Sequence, residues 1–253
     1  MEPEPDIATV AAHFADRSRA RMLLELIDGS ARPASHLAQM AGVAAPTASG
    51  HLARLQQAHL ITVEVDGRHR RYRIADDRVI VVLEALIPLA TTSSPEGLRA
   101  HFRWQRLRVA RSCYDHLAGS LGTDVMAGLL ECEALTRTDQ VAGPARAAND
   151  QLSAAVSHAP YRLGPSAVET FTPLGIDLDQ LSQARRPLLR VCTDWTEQRH
   201  HLGGALGAAV LSALVERDWV RRRPQRRDLQ VTEPARIAAW LGQANDAPPD
   251  EHL

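Results

Sequence analysis

The 253-residue chain contains no lysine: all 29 of its basic side chains are arginine, set against 30 acidic ones for a formal net charge of −1. No global field therefore draws it onto nucleic acid or membrane, although a balanced total leaves room for a local basic face. Aromatic residues make up only 4%, so the core has to be built from Ala, Leu and Val. Three cysteines, Cys113, Cys132 and Cys192, are too few and odd in number, which excludes a disulfide framework. Long hydrophobic runs are missing too. A run such as Val79 to Leu83 is far short of the roughly 20 residues that span a bilayer. Met1 to Asp6 is acidic and Pro-bearing, with no charged n-region and no apolar h-region. These absences point to a cytoplasmic protein with reduced thiols and no membrane partner. There is no Gly-rich phosphate loop, no serine elbow and no zinc-hydrolase motif. Cys113, Asp115 and His116 hold a nucleophile and a base in one short segment, whereas catalytic triads draw on separate segments and need an oxyanion donor. The expectation is a non-enzyme without a cofactor.

What is present is ordinary globular material, 45% hydrophobic and 23% charged, in two helical parts. Residues 1–6 read as a loose leader and 7–90 as a first domain. Residues 91–98, Thr-Thr-Ser-Ser-Pro-Glu-Gly-Leu, read as a linker. A second domain follows over 99–243, and residues 244–253 read as a frayed tail.

In the first domain, Asp16 is placed to cap a helix whose buried stripe is Met22, Leu23, Leu26 and Ile27. Pro33 is expected in the first turn of the next helix, and Pro46 opens a fourth that runs to about Ala58. Leu60 to Val65 is strand-like, Asp66-Gly67 is a hairpin signal, and Arg68 to Ile74 is the return strand. Helix–turn–helix followed directly by a hairpin is a winged helix. The helix after the turn fits a major groove and the hairpin reaches neighbouring backbone. Pro46, Thr47, Ser49, Gly50 and His51 lie near the start of that helix, where short polar groups meet base edges and Gly50 lets backbone approach. Arg54, Arg68, Arg70 and Arg71 suit phosphate oxygens. From residue 44 to 73 there are five Arg against Glu64 and Asp66, a local excess of three positive charges that the overall balance conceals. Val79 to Ala90 is apolar on nearly all sides and reads as a helix buried between two protomers.

Phe14 to Leu23 resembles the second-helix signature of the arsenic-repressor (ArsR-type) winged-helix regulators. Ala45 to Leu55 resembles their recognition helix, and Gly67-Arg68 to Tyr72 their wing. The resemblance covers residues 7–89 and implies a homodimer on double-stranded operator DNA, repressing until a small effector binds. The family's metal-sensing members carry Cys-x-Cys on the third helix and Asp and His on the dimer helix. Here those positions hold Pro33 and Ser35, and Val79 to Ala90 offers only Glu84, so no metal is expected at the usual positions.

The second domain contains an internal repeat. Residues 116–135 and 201–220, offset by 85, share eight of twenty residues, among them His116/His201, Gly119/Gly204 and Gly122/Gly207. Each copy is preceded by Arg-x-Cys-x-Asp, ending in Cys113 and Asp115 in one and Cys192 and Asp194 in the other. The fold class expected for the whole is mainly α with small β-hairpins. It comprises a winged helix plus a helical domain of two winged-helix-like halves, about 99–180 and 185–243, with an effector cleft between them. Pseudo-symmetry brings Cys113 and Cys192 together, with His116 or His201 beside them, as a thiol-based redox or metalloid site. The plainer alternative makes each cysteine a small buried residue on a helix. Trp195, next to the second Cys-x-Asp, is a candidate pocket wall or else core. Arg221 to Arg227 is expected as a solvated hairpin. The reading as a whole is a homodimeric repressor with its effector site in the second domain; a transcriptional activator and a thiol sensor are the alternatives.

Overall fold

The computed structural model describes residues 6–67, 69–90, 98–156 and 158–242. The chain divides into two compact units between Leu86 and Ile87. Apart from Asp6 and Leu98, the expected leader, linker and tail lie outside the described residues, as does Arg68.

The first unit contains α1 (Ile7–Ala15), α2 (Arg17–Leu26), β1 (Arg32–Pro33), α3 (Ala34–Ala41), α4 (Ala45–Gln57), β2 (Ile61–Asp66), β3 (His69–Ile74) and α5 (Asp77–Leu86). The Asp6 carboxylate accepts from the Thr9 amide and caps α1. Asp16 accepts from the Arg19 amide and caps α2, and this amide holds the Asp16 carboxyl below the usual carboxylate range. Met22, Leu23 and Leu26 of α2, Leu37 of α3, and Ala48, Leu52 and Leu55 of α4 bury completely or nearly so, as 3.6-residue periodicity requires. Gly42, at φ +70°, makes the left-handed turn between α3 and α4. The antiparallel sheet has the order β1-β3-β2. Two expectations shift here. Pro33 is the N-cap of α3 and pairs with Arg71 on β3 instead of opening the helix; its missing N–H costs nothing on an edge strand. The last helix stops at Leu86 and gives way to a 3₁₀ turn over Ile87–Leu89, because Pro88 has no N–H to continue an α-helix.

The second unit contains α6 (Leu98–Val109), β4 (Arg111–Cys113), β5 (His116–Ala118), α7 (Ser120–Glu131), β6 (Leu135–Arg137), β7 (Ala154–Ala155), β8 (Tyr161–Leu163), α8 (Ala167–Phe171) and α9 (Leu178–Ser182). It continues with β9 (Arg190–Thr193), β10 (His200–Gly203), α10 (Gly204–Glu216), β11 (Val220–Arg222), β12 (Leu229–Val231) and α11 (Pro234–Trp240). The repeat is therefore hairpin–helix–hairpin–helix: β4-β5-α7-β6-β8-α8, then β9-β10-α10-β11-β12-α11. Its identical glycines have a backbone reason. Gly119 and Gly204 both have positive φ, +83° and +76°, at the starts of α7 and α10, with backbone carbonyls under 3 Å from where a Cβ would stand.

The halves interlock. Each long helix packs over the other half's hairpin, α7 on β10 and α10 on β5. β7 joins the edge of β9, and Ser112 donates its amide to the Arg227 carbonyl. One hydrophobic core, including Leu117, Met126, Leu129, Leu202, Leu206 and Leu214, draws on both halves. The expected cleft is thereby corrected: shared core fills the junction, because each half leaves a hairpin face that its own helix does not cover.

At that junction Arg111 of β4 is 1% exposed and Asp194, just past β9, is 0%. Arg111 Nη2 donates to both Asp194 oxygens at 2.9 Å, and its Nη1 donates to the Leu107 carbonyl. Asp194 also accepts from the Gly119 amide at 2.7 Å and from Thr196. Burial alone would raise the Asp194 carboxyl, but the Arg111 guanidinium, with His201, Thr196 and Gly119, holds it far below the usual range. Removing one buried partner leaves an uncompensated charge. Asp194→Ala is therefore expected to lower stability by about 3–5 kcal/mol in urea unfolding. Arg111→Met with Asp194→Leu should cost clearly less than the sum of the two single changes, a coupling that a double-mutant cycle measures. In the first unit Leu23→Ala should cost about 2–5 kcal/mol by the same measurement.

Candidate functional site

In the first unit, α4 separates its residues by face. Ala48, Leu52 and Leu55 are buried, while Pro46, Thr47, Ser49, Gly50 and Arg54 are exposed. Thr47, Gly50 and Arg54 are three and four residues apart, hence on one stripe. The N-cap residue Ala44 supplies no side-chain hydrogen bond and Pro46 has no N–H, so in the first turn the Ala45 and Thr47 amides stay open to an anion. A Cβ built on Gly50 meets nothing within 4 Å. The fold itself therefore does not require glycine there. His51 departs from the expected outward direction. Its side chain is 13% exposed, with Nδ1 3.8 Å from Asp16 Oδ1. The reason is periodic: His51 lies three residues after Ala48 and four before Leu55, on the edge of the buried stripe, so it ties α4 to the start of α2.

Arg70 and Arg71 on β3 are exposed. Arg73 is committed to Glu64 on β2 at 3.0 Å. The exposed surface of α4 and the hairpin thus carries more free guanidinium than carboxylate. On α5, Val81, Val82 and Leu86 expose an apolar row, and Ile7 and Val10 do the same on α1.

In the second unit, the two hairpins bring four side chains together. Cys113 pairs with His116 across β4 and β5, and Cys192 with His201 across β9 and β10. In the first hairpin the turn is only Tyr114-Asp115, with Tyr114 at φ +61°; the second needs Asp194 to Arg199. The four extra turn residues, together with the additional Thr193–His200 pair in the second ladder, explain why the His residues repeat at an offset of 85 while the Cys residues repeat at 79. The potential ligand atoms of Cys113, His116, Cys192 and His201 all lie within 4.8 Å of one another. The imidazole centroids are 5.3 Å apart. Both cysteines stand on strands and not on helices as the plainer alternative has it, because the Arg-x-Cys segments are the hairpins' first strands.

Cys192 and burial raise the Cys113 thiol above its ordinary value, while His116 and His201 pull it down. Burial would lower His116, but Cys113 and Asp115 raise it by more. Asp115 Oδ1 lies 3.3 Å from His116 Nδ1, and the Arg186 guanidinium keeps the Asp115 carboxyl below the usual range. Asp194 Oδ2 lies 3.5 Å from His201 Nδ1. Gly122 and Gly207, identical in the two copies, let α7 and α10 lie close against the β5 and β10 backbones that carry the rings. A Cβ on Gly122 would come within 2.7 Å of the Leu117 carbonyl oxygen, beside His201. One on Gly207 would come within 2.5 Å of the Leu202 oxygen, 3.3 Å from His116 Cβ.

Two other sequence features resolve differently. Trp195 does not line a cleft: it is 7% exposed, edge-on to Trp104 at 5.7 Å, with the Arg111 guanidinium 4.6 Å from its ring centroid. Its partner explains this, since the guanidinium that neutralises Asp194 also needs a ring to cover it. Arg221 to Arg227 is not merely solvated: Arg223 and Arg226, with Arg106, converge on the fully buried Asp228. Arg111, Arg186 and the two helix glycines escaped the sequence reading, though Arg111 and the glycines sit inside the repeated pattern that announced the site. Cys132 stands apart, 3.8 Å from the Thr170 hydroxyl.

No described helix is long and apolar enough to cross a membrane. No family model matches the chain. It is similar to CmtR of Mycobacterium tuberculosis, an HTH-type transcriptional regulator, with 32% identity over 84 residues, 33% of this chain and 70% of CmtR. The solution structure of the cadmium metal-sensor CmtR from Mycobacterium tuberculosis is 29% identical, with a TM-score of 0.29 over 36% of this chain and 97% of that one. The similarity to YdfF of Bacillus subtilis, also an HTH-type transcriptional regulator, is far more extensive: 36% identity over 234 residues, 92% of this chain and 95% of YdfF. With a winged helix-turn-helix in its first unit and a relative of that extent, the chain belongs to the DNA-binding HTH-type transcriptional regulators.

Proposed function

We propose that the protein is an ArsR-type homodimeric repressor that binds an inverted-repeat operator through its first unit and is released by an effector sensed in its second. The observation that carries this reading is the exposed stripe of α4. Thr47, Ser49, Gly50 and Arg54 face solvent, and no packing inside the unit accounts for that choice of residues. In a major groove Thr47 and Ser49 meet base edges, Pro46 starts the helix at the groove wall, and Arg54 meets phosphate. Arg68, Arg70 and Arg71 supply the wing's phosphate contacts. His51 acts as a positioning residue through Asp16, not as a base reader. The unpartnered row Val81, Val82 and Leu86 is the surface for the second copy, and two reading helices about 34 Å apart match successive grooves.

Gly50→Ala separates fold from function. Alanine in a helix interior is favoured over glycine by about 0.5–1 kcal/mol, so this variant should unfold at higher urea. A methyl where the backbone approaches DNA should weaken binding to a duplex selected from a random library by the wild-type protein. Unchanged affinity would count against α4 as the reading helix. Arg70→Ala with Arg71→Ala removes two arginines from each protomer of the dimer, and should lower affinity across sequences and reduce the salt slope of log K by about 4. Val82→Glu with Leu86→Glu should yield a folded monomer by sedimentation equilibrium, with loss of tight operator binding; a persistent dimer rejects this face as the interface.

A further inference from the structure

We propose that Cys113, His116, Cys192 and His201 form a buried four-coordinate site for a thiophilic divalent cation of the zinc and cadmium class, contributed equally by the two halves of the second unit. Nothing in the DNA-reading unit takes part in it, and it is distinct from the third-helix and dimer-helix positions that here hold Pro33, Ser35 and Glu84.

Geometry comes first. A tetrahedral site with metal–sulfur bonds of about 2.3 Å and metal–nitrogen bonds of about 2.0 Å sets its ligand atoms about 3.3–3.8 Å apart. The four candidate atoms already lie within 4.8 Å of one another, so closure on an ion requires shifts of an ångström or less. The ligands sit on paired strands, a stiffer platform than loops.

The second observation is unsatisfied polarity. His116 and His201 are 5% and 1% exposed, yet His116 Nε2 and both ring nitrogens of His201 have no hydrogen-bond partner. Buried imidazole nitrogens without partners are costly and uncommon. Each ring has its Nδ1 beside a carboxylate, Asp115 for His116 and Asp194 for His201. For His116 this is the carboxylate–histidine hydrogen bond that fixes the tautomer and leaves Nε2 to ligate; for His201 the Asp194 oxygen, at 3.5 Å, is a charged neighbour on the same side of the ring. Both carboxylates are held in turn, Asp115 by Arg186 and Asp194 by Arg111 and the Gly119 amide.

Charge and softness then select the ion. Two thiolates and two neutral imidazoles exactly offset a divalent cation, so binding releases the two thiol protons and buries no net charge. Mixed sulfur and nitrogen ligands in a tetrahedron suit zinc-class ions and disfavour magnesium or calcium. A trivalent metalloid would want a third thiolate, and Cys132 lies elsewhere, against Thr170. The site's place between the halves gives it a lever. Bringing β4-β5 and β9-β10 onto one ion tightens the contact that α7 and α10 make across the junction.

That the cation is the effector rests on the repressor reading above; that it binds does not. The test uses the full-length protein, reduced and stripped with chelator, titrated with Co²⁺ and then Zn²⁺. The expected result is one Co²⁺ per chain with thiolate-to-cobalt charge transfer and the intense visible bands of a tetrahedral centre, displaced by Zn²⁺. Cys113→Ser and Cys192→Ser should each abolish the charge-transfer signature or weaken binding by at least about 100-fold, with far-ultraviolet circular dichroism unchanged; Cys132→Ser should leave it intact. Absence of the thiolate band in the wild-type protein, or its persistence in the Cys113→Ser/Cys192→Ser double variant, overturns the site. Zn²⁺ should also change affinity for the selected duplex by about tenfold or more in wild type and not in the double variant. Zn²⁺ binding without that change rejects the effector role and leaves the site standing. Failure of the metal-free and zinc-loaded protein alike to bind DNA overturns the repressor reading instead.

Discussion

The second unit depends on one buried ion pair. Arg111 and Asp194 are both removed from water, and they belong to opposite halves of the repeat. Neither charge is tolerable in the interior by itself, so the halves have to meet in the one register that joins them. Everything near the junction follows from that register. The Gly119 amide is satisfied by the same carboxylate, Trp195 is drawn over the guanidinium, and His201 is set 3.5 Å from Asp194. The two hairpins then meet along β5 and β10, the strands that carry His116 and His201, with Cys113 and Cys192 beside them. Desolvating both charges offsets much of their mutual attraction, so breaking the pair costs far more than its net contribution to stability.

The first unit reflects the opposite economy. Its α4 keeps its apolar residues on one stripe and leaves Thr47, Ser49, Gly50 and Arg54 in solvent. A helix selected only for stability would not place glycine at an open, exposed interior position. Burial of Ala48, Leu52 and Leu55 fixes the orientation, and the Asp16–His51 contact pins the helix to its neighbour. A rigid platform under a polar surface is what recognition of a groove requires.

Much of this was legible in the residues. Asp16 as a cap, Asp66-Gly67 as a hairpin signal and the 3.6-residue stripe of α4 are local, and local physics sets them. The meeting of Cys113 with Cys192 was legible as well, because the repeat implied pseudo-symmetry. What was not legible depends on partners far along the chain. His51 looked like a base reader until the stripe was counted from Ala48 and Leu55. Trp195 looked like a pocket wall because nothing local shows that Arg111, more than eighty residues away, lies over it. The cleft between halves was expected from two separate cores, whereas the hairpin of each half is covered by the other's helix. Arg186 carries no motif, and its role against Asp115 is visible only once β4 and β5 fold into a two-residue turn.

The claim on which the account of the second unit turns is that two thiols and two imidazoles, one of each from either half, surround a single point. Zinc K-edge absorption on the zinc-loaded full-length protein reads that shell directly. The account predicts two sulfur neighbours at about 2.3 Å and two nitrogen neighbours at about 2.0 Å. A shell of nitrogen and oxygen alone would contradict it.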